Sequence, residues 1–248
     1  MLTSVRSLLA ASVIATAALS APAFAQDEEG GVGIELSANV ALVSEYKFRG
    51  VNLSDGDIAI QGGVDVGLPA GFYVGTWASS IDEDTVGFGH TELDIYAGWA
   101  GEFGNISTDI GVINYIYPNA GAGDFDYVEF YGSVGAGIGP ASLTVGVAYA
   151  PEQNSLGGTD NFYLYSDVGV GIPGTPVSVA AHLGYTDGFL TFTNDSKAFD
   201  YSIGLTAEIP GSPVSVGVAY VGVEGDGLVD PTGTFTDDSV VFTISASI

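Results

Sequence analysis

The chain has 248 residues, with 30 acidic side chains against 4 lysines and arginines, a formal charge of −26 and no cysteine. That charge excludes nucleic acid as a partner, because phosphate binding rests on Lys and Arg, and the missing thiols exclude disulfides, thiolate nucleophiles and Cys-ligated metals. Mean hydropathy is +0.35, too high for an ordinary soluble acidic protein, yet no long continuously apolar stretch follows the N-terminus.

Residues 1–25 carry the pattern of a cleaved signal peptide. Arg6 is a lone positive charge, Leu8 to Leu19 is apolar, and Ala23-Phe24-Ala25 supplies the small residues a signal peptidase accepts. The apolar run is well short of the roughly 20 residues a helix needs to cross a bilayer. Gln26 is then the expected first mature residue, and 26–33 a short periplasmic segment.

From residue 34 the sequence alternates. Ile34, Leu36, Ala38, Val40, Leu42, Tyr46 and Phe48 fall on one side of an extended strand over 34–49, and Glu35, Ser37, Asn39, Glu45, Lys47 and Arg49 on the other. Turn and loop residues cut the remainder into further strand-like segments at 58–68, 72–81, 91–102, 106–117, 127–138, 142–150, 161–172, 177–186, 199–209, 214–223 and 238–248. In 72–81 both faces carry an aromatic residue. Val240, Phe242, Ile244, Ala246 and Ile248 alternate to the end of the sequence, as in the assembly signal of many outer-membrane barrels, although those usually finish in an aromatic residue.

Short and long connections alternate without exception. Pro69-Ala70-Gly71, Phe103-Gly104-Asn105, Gly139-Pro140-Ala141, Pro173-Gly174-Thr175-Pro176 and Pro210-Gly211-Ser212-Pro213 are tight turns without an acid, built on Gly and Pro. Acidic residues crowd instead into 50–57, 82–90, 118–126, 151–160, 187–198 and 224–237. Ile172–Val179 recurs almost unchanged as Ile209–Val216, so the repeating unit is a hairpin. The pattern predicts an all-β fold: a transmembrane, antiparallel, up-and-down β-barrel of about 12 strands, with short periplasmic turns and long acidic extracellular loops.

Tyr46-Lys-Phe-Arg-Gly50, Ser54-Asp55, Gln61-Gly-Gly63 with Asp65, and Gly71-Phe-Tyr-Val-Gly-Thr-Trp-Ala-Ser79 resemble the opening of the TorF family of proteobacterial porins. Glu92-Leu-Asp-Ile-Tyr96, Asp109-Ile-Gly-Val112 and Asp126-Tyr-Val-Glu129 extend the resemblance over most of the mature chain, while Asp57-Ile58-Ala59 departs from it where the family has a central proline. The resemblance implies an outer-membrane location and a channel, and names no solute.

With the apolar face toward lipid, the lumen receives Glu35, Glu45, Lys47, Arg49, Asp65, Glu92, Asp94, Asp109, Glu129, Asp167, Asp200 and Glu208. The many lumenal glycines argue for a narrow wet pore rather than a packed plug, and acid rings favour cations. Strand direction places Glu45, Lys47, Arg49, Glu92, Asp94, Glu129 and Asp200 near the outer mouth. They are read as a constriction with two cations facing carboxylates, or as Lys47 and Arg49 pairing locally with Glu45 or Asp57. Tyr46, Trp77, Trp99 and Tyr149 are expected in interfacial girdles.

His182 points into the lumen, but position 184 is Gly where a barrel lipase would need a serine; no catalytic role is expected. Asp82-Glu83-Asp84 and Asp237-Asp238 read as solvated acidic loops, without EF-hand spacing. The expected function is passive diffusion of small hydrophilic solutes with cation preference; the alternative is a non-conducting structural or interaction barrel with cation-binding acidic loops. Expected partners are outer-membrane lipid and lipopolysaccharide, with no cofactor and no metal centre. No feature fixes the oligomeric state.

Overall fold

The computed structural model describes residues 33–123 and 125–248; the signal-peptide segment 1–25 and most of 26–33 lie outside them. Twelve antiparallel strands close into one barrel: β1 (Glu35–Val43), β4 (Ala59–Gly67), β5 (Phe72–Ser80), β6 (Thr91–Phe103), β7 (Ile106–Ile116), β8 (Tyr127–Ile138), β9 (Ala141–Gln153), β10 (Thr159–Gly171), β11 (Val177–Gly188), β12 (Lys197–Glu208), β13 (Val214–Gly225) and β14 (Ser239–Ser247). Each strand pairs with its sequence neighbours in the barrel. The ring closes at β1, where Val40 lies opposite Gly62 of β4 on one side and Ala246 of β14 on the other. Closure pairs every barrel strand on both sides, although residues 35–37 of β1 pair with β4 alone. Two further strands, β2 (Lys47–Phe48) and β3 (Val51–Asn52), form a separate hairpin between β1 and β4.

The repeat read in the sequence is a repeat of turn geometry. Ile172 N donates to Val177 O, and Ile209 N to Val214 O, both at 2.9 Å; Thr175 N and Ser212 N each reach back to the isoleucine carbonyl at 3.1 Å. The same turn thus joins β10 to β11 and β12 to β13, two strands further round the ring.

Side chains sort by parity. Val40, Leu42, Ile60, Ile95, Ile110, Phe130, Ile203, Phe242 and Ile244 are all exposed on the outer wall, an apolar belt far larger than a soluble monomer tolerates. At its long-loop rim outward tyrosines hold carboxylates: Tyr149 to Asp160 at 3.0 Å, and Tyr201 and Tyr220 to Asp238 at 2.8 and 2.6 Å. Trp99, near the opposite rim, donates to Ala70 O at 2.8 Å. Trp99 and Tyr149 therefore face outward. Tyr46 and Trp77 do not: they pack edge to face inside the barrel, with ring centroids 5.6 Å apart.

The lumenal glycines accommodate tyrosine rings rather than water. Gly75 lies across from Tyr96, Gly98 from Tyr73, Gly111 from Tyr131 and Gly146 from Tyr165, and in each pair the ring covers the glycine. The phenols then pair in the lumen, Tyr73 with Asp109 and with Tyr131, both at 2.6 Å. A Cβ on Gly98 would stand 2.4 Å from the Tyr73 hydroxyl and 2.6 Å from the Ile110 carbonyl oxygen. Gly98→Ala should therefore cost about 1–3 kcal/mol through overpacking, read as a lower temperature for the heat-induced shift in gel mobility.

Candidate functional site

Strand β1 ends at Val43, six residues before the expected position, and this changes what the following residues face. Ser44 and Glu45 bend the chain, and the segment after them turns into the lumen as the β2–β3 hairpin. Arg49 and Gly50 form its two-residue turn with φ of +47° and +82°, the type I′ pattern that matches strand twist. Arginine in the left-handed region costs about 1–2 kcal/mol, so the surrounding structure must hold it there.

Four apolar residues of this segment, Tyr46, Phe48, Val51 and Leu53, are buried inside the barrel beside Phe235 from the last loop. Each such burial is worth about 1.5–3 kcal/mol. Tyr46 and Phe48 thus leave the lipid face expected of them, because the bend takes them out of the strand. Main-chain bonds tie the hairpin to other loops: Asn52 N to Phe235 O at 2.7 Å, and Asp82 N to Leu53 O at 2.8 Å. The tip leaves no slack, since a Cβ on Gly50 would lie 2.6 Å from Gly222 O and 2.7 Å from Val223 Cβ.

The charged residues singled out in the sequence gather around this hairpin. The Arg49 Nη2 atom donates to both carboxylate oxygens of Glu129, at 2.9 and 2.7 Å, from the hairpin tip to β8. Its guanidinium lies 4.1 Å from the centroid of the Tyr163 ring on β10. Burial alone would discourage its charge, but Glu129 prevails and raises the Arg49 pKa. Lys47 is fully buried, donates to Asp237 O at 2.7 Å and stands 3.5 Å from Glu45. There burial prevails over Glu45 and lowers the lysine pKa. Glu45 also accepts from Asn52 Nδ2 at 2.9 Å. Lys47 is therefore in the local pair with Glu45, whereas Arg49 reaches the opposite wall.

Glu92, on β6, accepts from Tyr46 at 2.7 Å and Tyr117 at 3.1 Å. Asp94, two residues along, is 4 % exposed and its Oδ1 has no hydrogen-bond partner among the described residues. Asp167 and Asp200 are brought together by His182, which the sequence placed in the lumen without giving it a partner. His182 Nδ1 lies 2.6 Å from Asp167 and Nε2 2.9 Å from Asp200, with Tyr163 Oη 2.8 Å from Nε2. The signal available was register: His182 stands directly opposite Asp167 across β10 and β11.

At the long-loop end, lumenal residues of all twelve barrel strands are buried, from Val43 on β1 through Gln61, Ser79, Glu92, Tyr115 and Glu129 to Ala150, Asn161, Thr186, Asp200, Val221 and Val241. This half is packed solid around the hairpin, which corrects the expectation of a wet pore at that level. Towards the short turns, Ser107, Ser133, Thr144, Ser178 and Thr206 are partly exposed. Tyr73, Asp65 and Asp109 stay buried in that half, so the lumen is a polar, partly filled cup beneath a stopper. The acidic loop segments are also occupied: Asp82 caps the short helix α1 (Glu83–Val86) by accepting from Thr85 N at 2.8 Å, and Glu83 meets His90 at 3.2 Å. No group of three or more metal-ligating side chains occurs among the described residues.

Residues 27–248 match a family model described as a bacterial protein of unknown function, Gcw_chp. The chain belongs to the Gcw_chp family. The TorF resemblance over residues 46–79 is a finer statement than this match carries. A search of curated proteins by sequence found no match for this Gcw_chp chain. Among solved structures, its barrel is similar to the KdgM porin, with a TM-score of 0.55 and 9 % identity over 85 % of this chain and 97 % of that one. It is likewise similar to the NanC porin, with a TM-score of 0.57 and 11 % identity over 86 % of this chain and 99 % of that one. At such identities the likeness establishes the fold: the Gcw_chp chain is a porin-like twelve-stranded barrel.

Proposed function

We propose that the protein is an outer-membrane porin whose lumen is held shut by its first long loop, and which passes small cationic solutes when the β2–β3 hairpin withdraws. The observation that carries this reading is the buried lumenal layer on all twelve strands, built around a hairpin that enters from a loop rather than from the wall. The outer apolar belt and the tyrosine rims suit a bilayer. The signal-peptide pattern of residues 1–25 and the short-turn, long-loop asymmetry suit export to the outer membrane with the long loops outside, where lipopolysaccharide is the neighbouring lipid. Glu92, Asp94, Glu129, Asp167 and Asp200 would line the path once the stopper is gone and favour cations, with Glu45, Lys47 and Arg49 moving away with the loop. Catalysis is not part of this reading, since His182 is engaged by carboxylates at both ring nitrogens.

The apolar packing of Tyr46, Phe48, Val51 and Leu53 favours a second reading, a permanently closed barrel serving surface contacts. Planar-bilayer recording separates the two. The intact chain should be mostly closed, and a chain with residues 46–53 replaced by a Gly-Ser linker should conduct, with a K⁺-selective reversal potential in a KCl gradient. Silence from both folded proteins would leave the structural reading; chloride preference in the excised chain would overturn the assigned lining.

A further inference from the structure

The place where Arg49 sits is better furnished than one tethered side chain requires. Its barrel-side walls are the Glu129 carboxylate, which takes Nη2 at both oxygens, the Tyr163 ring at 4.1 Å, and Tyr115, whose hydroxyl donates to Glu129 Oε2 at 3.3 Å. A flat cation lying on an aromatic face beside a carboxylate is a guanidinium arrangement. A single terminal nitrogen, Nη2, serves both Glu129 oxygens, and it is the stacked plane over Tyr163 that a compact ammonium does not match. Arg49 does not exhaust the site. Its Nη1 is buried without a hydrogen-bond partner among the described residues, and the same is true of Asp200 Oδ2 and Asp94 Oδ1. Both aspartates border the seat. The Tyr163 hydroxyl reaches Asp200 Oδ1 at 3.1 Å, and Asp94 lies across from Tyr115 on β7. Arg49 also holds its position with a positive φ, a strain that a free guanidinium would not carry.

We propose that this seat is a binding site for guanidinium-bearing solutes, and that Arg49 occupies it as a built-in ligand which such a solute displaces. The inference deepens the porin reading by naming the solute class, and its transport half rests on that reading. A guanidinium compound reaching the seat as the hairpin loosens would meet Glu129 and Tyr163, keep the tip released and hold open the path it then follows.

The test uses the folded full-length mature chain in detergent. Calorimetric titration of Arg49→Ala with methylguanidinium should give saturable binding. The Arg49→Ala/Glu129→Gln chain should bind it more weakly by about tenfold or more. Methylammonium, which lacks the plane, and methylurea, which lacks the charge, should not saturate. Equal binding to both variants, or equal binding of all three probes, would overturn the site. Should either variant fail to fold, Val51→Cys in the otherwise intact chain serves instead: methylguanidinium should raise its thiol-labelling rate and methylurea should not, and identical rates would overturn the proposal. Failures remain separable. Binding without conductance from the hairpin-excised chain retains the site and removes the porin; conductance without binding does the reverse.

Discussion

Replacing Glu129 by alanine should turn the closed barrel into a conducting one. The substitution leaves Arg49 buried without its counter-charge, and breaking one side of a buried ion pair costs about 3–5 kcal/mol. At 1.36 kcal/mol per decade that shifts the hairpin equilibrium outward by roughly two to four orders of magnitude. The remaining anchors, Tyr46 on Glu92, Asn52 on Phe235 and the apolar packing, then hold a hairpin whose tip has a reason to leave. Open probability in planar bilayers reads the effect. Adding Arg49→Ala removes the stranded charge, so the double variant should open less than Glu129→Ala alone, and the cycle isolates the pair. No rise in conductance from folded Glu129→Ala would mean that the latch does not govern the stopper.

A single arginine on the outer wall should block assembly where the same residue in the cup does not. Ile203 lies near the middle of β12 and is 58 % exposed on the outer face, where an arginine costs about 2–4 kcal/mol at bilayer mid-depth. Thr206, three residues on, faces the open part of the lumen, where the guanidinium stays hydrated. Folding into lipid vesicles, scored by heat-modifiable mobility, should fail or fall sharply for Ile203→Arg and hold for Thr206→Arg. Equal yields would contradict the lipid-facing assignment of the wall.

The barrel was legible because lipid and lumen impose opposite chemistry on alternate residues, and because tight Gly-Pro turns punctuate one end. Strands such as 106–117 and 127–138 fall within a residue of β7 and β8 for that reason. The stopper was not legible because alternation does not distinguish lipid from an apolar interior. Tyr46 and Phe48 keep the parity of Val40 and Leu42, so the pattern runs through the bend at Ser44 and Glu45 unchanged. The available clue was Arg49-Gly50, a turn dipeptide flanked by Lys47-Phe48 and Val51-Asn52. The ambiguous segment 72–81 resolves similarly: Phe72 faces out, while Tyr73 and Trp77 face in. Lumenal glycines suggested empty space because a sequence does not show that a tyrosine on the next strand lies over Gly75, Gly98, Gly111 and Gly146. Register also set His182 opposite Asp167, with Asp200 two residues along β12 from its other partner Ser202, a grouping that none of the three announces alone.

The most direct test of the stopper is chemical access to Val51, which is 2 % exposed in the hairpin, in a chain that contains no other thiol once it is replaced by cysteine. The folded Val51→Cys chain in vesicles should react with a membrane-impermeant maleimide far more slowly than the unfolded chain, and Glu129→Ala should restore much of the rate. Labelling of the folded chain as fast as the unfolded one would place the hairpin outside the barrel and contradict the account.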